Sequence, residues 1–495
     1  MPAPRNIALG SLVIAAFGLS VSAGNVAIPA EPCNPAGNVT VRYAASTERV
    51  YIESESGDPG CVTLTDIWVS RGGKGPLYAV DPTTGEHSIN ATGTWLLTES
   101  LYVVDGNTLN VHGGEGGDCD ELRLLSNETS LINLRAHGGS FSFVDTKVFS
   151  WDEQKNTYDT NTTDGRSYIS ALSEVIYDPA LNCSGMALNE MGEARMDIIR
   201  SEMGYLGYYD SESYGLTWKV RGFCVDKTNK QVFDHVNVYG DIIESDIHHN
   251  YFGMYTYGHQ QGNWSNNMMH DNEKYGFDPH DDSDYLTIHD NKVWNNGNHG
   301  IIASKRCNNV SIQNNEVWGG INAGLFLHRS SDGAIVKGNY VHDNGDAGMA
   351  MLESFDNLIT ENVFENNKYG IRLSVGCGRN TFTNNVLTNS SKYQLYTYLG
   401  SDLPDVPDTT GRPLHNVFSE NTITKTGEDC VKIKEADYTV IKNNVFEDAL
   451  GLTFTNSTET SWYDNTLDDT EPTFELNGYA CMASDSDPSL EEYYC

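Results

Sequence analysis

The chain has 495 residues, with 68 acidic and 31 basic side chains and a formal charge of −37 at pH 7. This acidity argues against nucleic acid as a partner, because phosphate binding requires a basic surface. The 47 glycines and 27 tyrosines favour turns and strands over helices, so the predicted class is all-β.

The N-terminus has the pattern of a secretory signal peptide. Arg5 precedes an apolar run from 7 to 21, and Ala23 ends a small-residue cleavage site. No later segment has the roughly 20 apolar residues that a membrane-spanning helix needs. We therefore expect residues 1–23 to be removed, the protein to be secreted, and no membrane to be a partner.

Residues 24–130 are irregular and punctuated by glycine and proline. They predict either a small β-rich cap or the first, imperfect coils of the repeat that follows. Residues 131–470 are expected to form that repeat. The acidic segment 471–495 is expected to form a C-terminal cap over the otherwise unpaired edge.

The central region is periodic, with glycines at intervals of 22 to 24 residues. They are Gly253, Gly276, Gly300, Gly324, Gly348 and Gly370. A parallel series of asparagines comprises Asn267, Asn291, Asn315, Asn339, Asn362 and Asn385. A short period carried by Gly, Asn and β-branched residues predicts a stacked β-solenoid. Residues at equal offsets from each glycine should therefore stack in columns.

Residues after each glycine alternate in character. Offsets one and three are mostly apolar and should face the core, so offsets two and four should face outward. The outward strip and the position before each glycine carry titratable groups, namely Tyr257, Asp278, His280, His328, Tyr275 and His299. Titratable groups on a rigid platform indicate catalysis. Aromatic and cationic groups along a groove also suit an extended anionic sugar chain.

The segment Tyr275-Gly276-Phe277-Asp278-Pro279-His280-Asp281 closely resembles the signature of the mannuronan C-5-epimerases, which convert mannuronate to guluronate within alginate. Segments 201–207, 214–217 and 299–304 are similar to neighbouring coils of the periplasmic bacterial branch of that family. The resemblance covers about 130 to 390, and the calcium-binding nonapeptide modules of some relatives are absent. It implies a right-handed parallel β-helix and an isomerase that acts on the polymer.

The resemblance also implies site roles. His280 and Tyr275 would be the acid/base pair, without a decision on which is which, and Asp278 would orient or tune them. Inversion at C-5 removes a weakly acidic proton beside a carboxylate, so a cation should neutralise that carboxylate. The family places this cation on the next coil, where this chain has Lys305 and Arg306, and both remain candidates.

Further side chains are candidates for substrate binding: Tyr255, Tyr257, His299, His328, Arg329 and Lys219. The expected partner is an anionic polysaccharide, and the protein is expected to be a monomer. No cofactor is required, although hard oxygen ligands for Ca²⁺ abound in so acidic a chain. No metal ligands are assigned, because the repeated His-Asp-Asn triplets fall at positions typical of turns.

Cysteines and sequons fit the secretory route. Ten cysteines follow residue 23, and an even count in an exported protein predicts disulfides. Cys307 and Cys377 should not pair, because three coils would separate them by roughly 14 Å. Nine Asn-x-Ser/Thr sequons predict a eukaryotic glycoprotein. With an alginate substrate, they place the protein by resemblance in the cell wall of a brown alga.

Two other functions remain open. An alginate lyase on the same scaffold would share the proton abstraction but expel the C-4 oxygen, which creates an ultraviolet-absorbing alkene. A non-catalytic carbohydrate-binding solenoid would have the same fold. In that case, replacing His280 and Tyr275 would leave the polymer composition unchanged.

Overall fold

The computed structural model describes residues 39–54, 58–176, 187–188, 192–222, 231–406, 410–424, 427, 429–448, 451–467 and 474–477. The predicted signal peptide and nearly all of the predicted C-terminal cap lie outside these residues. The same is true of five cysteines and of the sequons at Asn38 and Asn182.

Three long, mainly parallel sheets run along the described part of the chain and form the sides of a solenoid. Each regular coil contributes one strand to every sheet, and the coils wind as a right-handed parallel β-helix. The predicted fold class is therefore confirmed.

The strands of sheet 1 are Val39–Ala44, Arg49–Ser54, Ser100–Val103, Asn133–His137, Tyr168–Ile176, Ala187–Leu188, Gly215–Arg221, Phe252–Tyr257, Phe277–Asp278, Ile301–Ser304, Leu325–His328, Ala347–Leu352, Tyr369–Ser374, Tyr393–Thr397, Val431–Lys434, Leu452–Thr455 and Phe474–Asn477. Those of sheet 2 are Cys61–Thr63, Thr108–His112, Ser140–Val144, Arg195–Ile199, Ile242–Ile243, Asn263–Ser265, Thr287–His289, Ser311–Gln313, Ile335–Lys337, Leu358–Thr360, Thr381–Thr383, Val417–Ser419, Val440–Lys442 and Ser461–Tyr463. Those of sheet 3 are Leu77–Ala79, Thr94–Leu97, Glu121–Asn127, Ser130–Leu131, Lys147–Asp152, Thr157–Tyr158, Glu202–Gly204, Asp246–His248, Met268–His270, Lys292–Trp294, Glu316–Trp318, Tyr340–His342, Val363–Glu365, Val386–Thr388, Thr422–Thr424, Val445–Glu447 and Thr466–Leu467.

Parallel stacking is already present near the N-terminal end of the described chain. Arg49–Ser54 pairs in parallel with Ser100–Val103, and Cys61–Thr63 does so with Thr108–His112. Two helices, Leu64–Ser70 and Gln231–His235, interrupt the coils. Among the helices that the structure describes, none has the length and apolar character needed to cross a bilayer.

The predicted core columns are confirmed. Phe277, Ile301, Leu325 and Met349 pair from strand to strand in sheet 1, and all four are fully buried. Burial of such a continuous apolar column supplies the main driving force for stacking the coils.

The glycine column is explained by the close approach of successive coils. A Cβ atom on Gly276 would lie 2.5 Å from the carbonyl oxygen of Gly300, and one on Gly300 would lie 2.4 Å from a Val317 methyl carbon. Neither contact is sterically allowed. Glycine is therefore required at the point where each of these two coils enters sheet 1, because a side chain there would collide with the next coil.

The asparagine column forms a buried ladder parallel to the solenoid axis. The side-chain oxygen of Asn315 accepts from the backbone N–H and the side-chain amide of Asn291, at 3.0 and 2.9 Å. Its own amide donates to Asn339 and to the backbone oxygen of Ile288. Each asparagine thereby satisfies backbone groups at a turn that would otherwise be buried without partners.

The His-Asp-Asn triplets are turns, as the sequence suggested. Their aspartates Asp271, Asp290 and Asp343 have left-handed backbone angles, with φ between 52° and 56°. The asparagine of each triplet is buried. Asp and Asn tolerate this conformation better than most residues, which accounts for the motif without a metal ion.

The disulfide prediction is only partly right. Cys119, Cys307, Cys377 and Cys430 are buried free thiols, so the expected absence of a bond between Cys307 and Cys377 is confirmed. These four cysteines act as small apolar side chains inside the coils. Cys61 is disulfide-bonded.

We predict that Asn315→Ala destabilises the solenoid. The substitution leaves two buried donors of Asn291 without an acceptor, which should cost roughly 2–4 kcal/mol of unfolding free energy. Chemical denaturation followed by circular dichroism measures the loss. Lys292→Ala, at an exposed position of sheet 3, is the control. Equal stability of the two variants would contradict a stabilising role of the ladder.

Candidate functional site

The outward strip of sheet 1 is less exposed than an ordinary sheet surface. Asp278 is 2% exposed, and Ile302 and Ser304 on the next coil are 5% and 3% exposed. The prediction that these positions face away from the core is correct in direction. It is wrong if taken to mean full solvent contact, because all three residues are almost fully buried.

Aromatic side chains from several coils form a rim around Asp278. Its members are His280, Tyr255, Tyr214, Phe252, Tyr275, His299, Phe326 and His328. Consecutive members are in ring contact, with centroids 4.6 to 5.8 Å apart. The rim encloses a low-dielectric site in which charges interact more strongly than in water.

Asp278 is an unusual carboxylate at the centre of this rim. Burial raises its pKa to about 7, while Coulomb interactions with His280 and Lys305 oppose that rise. Its Oδ1 atom has no hydrogen-bond partner in the described part of the structure. Near neutral pH the group can therefore be a neutral acid with a free hydrogen-bonding atom, a common property of functional sites.

His280 is oriented by a carboxylate. Its Nδ1 atom lies 2.5 Å from Oδ2 of Asp281, and Oδ1 of Asp281 accepts from Arg306 at 2.6 Å. A proton on Nδ1 faces this carboxylate, which leaves the lone pair of Nε2 available as a base. Asp281, itself held by Arg306, thus places a negative charge beside Nδ1 of His280 and favours a proton there.

The two candidate cations differ in their partners. Arg306 is held by Asp281 and Asp282, at 2.6 and 2.9 Å. Lys305 has no ion pair with any residue that the structure describes, and its charge acts on Asp278. Lys305 is therefore the cation available to an anion bound beside Asp278.

Tyr275 lies on the other flank of Asp278. Its ring stacks on His299 with centroids 5.8 Å apart, and burial raises the pKa of its phenol. The Nδ1 atom of His299 accepts from the backbone N–H of Ala323 at 3.1 Å, and burial lowers the pKa of His299 to about 4. Tyr275 is therefore a protonated phenol, and His299 is a neutral ring beside it.

The remaining predicted binding residues fall into two groups. Tyr255 and His328 belong to the rim, and Nδ1 of His328 is 3.0 Å from the hydroxyl of Ser304. Tyr257 packs partly against the core. The Nζ atom of Lys219 lies 5.9 Å from the ring centre of Tyr257. These last two residues form the N-terminal border of the site.

Lys219 and Arg329 are less available than the sequence suggested. Lys219 pairs with Glu212 at 3.3 Å. Arg329 pairs with the buried carboxylate of Glu353 at 3.2 Å and with Asp405 at 3.0 Å, so it secures the loop after sheet 1 strand Tyr393–Thr397. The structure does not bring the Arg329 guanidinium into the rim as a free group.

Sequence reasoning missed three residues of the site. Tyr214 precedes Gly215, so the offset that identified Tyr275 would have found it two coils nearer the N-terminus. Phe326 occupies the same outward column as Asp278. Asp281 lies inside the recognised motif, but sequence gives no sign that its carboxylate faces the ring of His280 rather than solvent.

Comparisons with known proteins identify a family and several relatives of the chain. The family model described as periplasmic copper-binding protein (NosD) matches residues 207–368 and 330–478, together more than half of the chain. The mannuronan C5-epimerase AlgG of Azotobacter vinelandii is 27% identical over 262 residues, which are 53% of this chain and 44% of that protein. The mannuronan C5-epimerase of Pseudomonas aeruginosa is 29% identical over 217 residues, which are 44% of this chain and 35% of that protein.

A crystal structure of the periplasmic alginate epimerase AlgG has the same fold. It superposes with a TM-score of 0.62 at 22% identity and covers 80% of this chain and 85% of that one. This likeness supports the parallel β-helix. The chain spans less than half the length of the curated relatives that it matches.

The copper in the family description has no fitting site among the described residues. No group of three or more His, Cys, Asp and Glu side chains there is arranged to hold a metal ion. In the densest histidine cluster, both ring nitrogens of His270 already contact carboxylates, Asp246 at 2.9 Å and Asp271 at 2.7 Å. We derive no chemistry from copper.

We predict that Asp278→Asn stabilises the protein at alkaline pH. The folded pKa of Asp278 is raised to about 7, so burying its ionised form opposes folding as pH rises from about 4 through 7. The variant should be more stable than the parent by roughly 1–4 kcal/mol at pH 8, and the difference should vanish near pH 4. Thermal unfolding at the two pH values measures it. Asp290→Asn, on an exposed turn, is the control, and a pH-independent difference would contradict the assignment.

Proposed function

Because the chain belongs to the family described as periplasmic copper-binding protein (NosD) and is homologous to mannuronan C5-epimerases, we propose that it epimerises mannuronate to guluronate within an anionic polysaccharide. One observation carries the proposal: an imidazole beside a carboxylate and a protonated phenol flank a buried, neutralisable Asp278 on one outward strip.

The proposed reaction begins with His280 as base. Its Nε2 atom takes the proton from C-5 of a mannuronate residue, and the electron pair spreads onto the adjoining carboxylate. Tyr275 then delivers its phenolic proton to the opposite face of C-5, which inverts the centre. A neutral imidazole suits the first step and a protonated phenol the second. Proton exchange with solvent returns both groups to their starting states.

Charge stabilisation comes from two neighbours. The additional negative charge of the intermediate falls on the sugar carboxylate, where the free ammonium of Lys305 can pair with it. Asp278, when protonated, can donate a hydrogen bond from its unpartnered oxygen. Both interactions strengthen as charge develops, so they act on the transition state more than on the bound substrate.

These groups supply all the steps, so we propose that the reaction needs no cofactor and that Ca²⁺, if bound, acts on stability or on the polymer. We further propose a monomeric, secreted glycoprotein that acts on wall polysaccharide. The similar crystal structure is that of a periplasmic epimerase, which agrees with a location beyond the inner membrane.

We predict that purified protein converts polymannuronate to guluronate-containing polymer without shortening it, as proton NMR will show. His280→Gln should lower the rate by about 10²–10⁴-fold, because it removes the base. Tyr275→Phe should lower it similarly by removing the acid. His289→Gln is a matched control, since His289 also contacts an aspartate, Asp290, at 2.6 Å but lies on sheet 2.

Two results would overturn the proposal. Absorbance from unsaturated uronate, with chain shortening, would establish the lyase alternative. An unchanged polymer with folded protein, tested with and without Ca²⁺, would favour the non-catalytic binding alternative.

We also predict that Lys305 and not Arg306 neutralises the substrate carboxylate. Lys305→Met should lower kcat by about 10²-fold with little change in KM, because the lost interaction is strongest in the transition state. Lys305 already has a left-handed backbone, with φ 62°, so methionine adds no new strain there. Lys292→Met is the control. Unchanged kcat in Lys305→Met would assign the role to Arg306.

A further inference from the structure

A second group of cations and aromatic rings lies further along the outward strip. We call it the tyrosine–cation cluster, and it consists of Tyr369, Arg372, Lys392, Tyr393, Tyr396 and Lys432. Its rings are in contact, with Tyr369 and Tyr396 stacked at 5.4 Å. None of these residues takes part in the proposed chemistry.

The cluster is positively charged on a strongly negative protein. Arg372 pairs with Asp346 at 2.8 Å. Lys392 and Lys432 have no acidic partner among the residues that the structure describes. Both instead lie over Tyr393, with Nζ 5.3 and 5.2 Å from its ring centre. Two neighbouring ammonium groups over one ring, without a described acidic partner, favour an anion at this place on a chain with 68 acidic and 31 basic residues.

Strand register places the cluster in line with the candidate site. The column that contains Asp278 continues through Ile302, Phe326 and Ala350 to Arg372. It then continues through Tyr396 to Lys432. Arg372 and Lys432 are thus four and six coils from Asp278, which corresponds to about 19 and 29 Å.

The floor between the two places is apolar. Phe326 and Tyr396 pack against a small cluster that includes Ala323, Ala347 and Ala350 and is separate from the solenoid core. No charged residue of the column interrupts this stretch. A polymer lying along the strip would meet the catalytic groups, then an apolar floor, then the tyrosine–cation cluster.

We propose that the tyrosine–cation cluster anchors the non-reacting stretch of the anionic polysaccharide whose reacting residue lies at His280. The inference rests on the proposed function and adds a length requirement to it. A chain that spans at least about 19 Å gains the second contact, whereas a shorter chain binds only at the rim. Linking two weak contacts through one chain raises the apparent affinity without new chemistry.

The test compares polymannuronate with oligomers too short to reach Arg372. Lys392→Gln/Lys432→Gln should raise KM for the polymer about three- to tenfold, leave kcat unchanged, and leave KM for the short oligomers unchanged. The matched control is Lys337→Gln/Lys442→Gln, which removes the same charge from sheet 2. Lys392→Arg/Lys432→Arg should keep the parental KM.

The salt dependence of binding by the unaltered protein tests the same proposal. For the unaltered protein, added salt should weaken binding of the polymer more steeply than binding of the short oligomers, because more ionic contacts are screened. Equal salt dependence, or an unchanged KM for the polymer in the glutamine variant, would overturn the proposal. An increase in KM of the glutamine variant that is equal for the short oligomers and the polymer would also overturn the proposal.

Affinity electrophoresis in gels containing polymannuronate separates this inference from the proposed function. Retardation of the unaltered protein, and less retardation of the glutamine variant, supports the anchor even if no guluronate forms. In that case the epimerase proposal fails while the anchor stands. Retardation equal in both proteins, or absent from both, overturns the anchor even if guluronate does form.

Discussion

The structure depends on the close approach of successive coils. At Gly276 and Gly300 the backbone of one coil lies where a Cβ atom of its neighbour would be. The asparagine ladder then satisfies the backbone groups that this approach buries. Hydrogen bonds of this kind contribute modestly when made but cost much when broken, so the ladder specifies register more than it adds stability. Register in turn decides which side chains meet on the outward strip.

The candidate site uses that register to assemble groups from several coils. Tyr214, Tyr255, Asp278 and Phe326 lie on different coils, and each occupies a position equivalent to that of a buried or small residue elsewhere. Holding Asp278 in a dry site opposes folding at neutral pH, because the ionised carboxylate loses its hydration. A site that lowers stability in this way is consistent with selection for chemistry rather than for packing.

Sequence predicted the solenoid, its core columns, the turn triplets and the central motif, because each leaves a periodic or contiguous signal. It did not predict the burial of the strip, since that depends on which side chains of different coils meet, as Phe326 meets His299. Nor did it distinguish Lys305 from Arg306, which are adjacent in the chain. Only the carboxylates of Asp281 and Asp282 show which of the two is already paired. Nor did sequence show that Arg329 is paired, since its partner Asp405 is more than 70 residues away.

One feature of the ladder bears on how such a protein can vary. Between Asn385 and Asn421 the repeat lengthens to 36 residues, yet the two side chains are joined at 3.0 Å like any other pair. The extra residues leave the stack sideways, as the loop that Arg329 secures. Length changes at that corner therefore leave the asparagine ladder intact. Insertions that contact a substrate or a partner can therefore arise there, while the stacked coils keep their geometry.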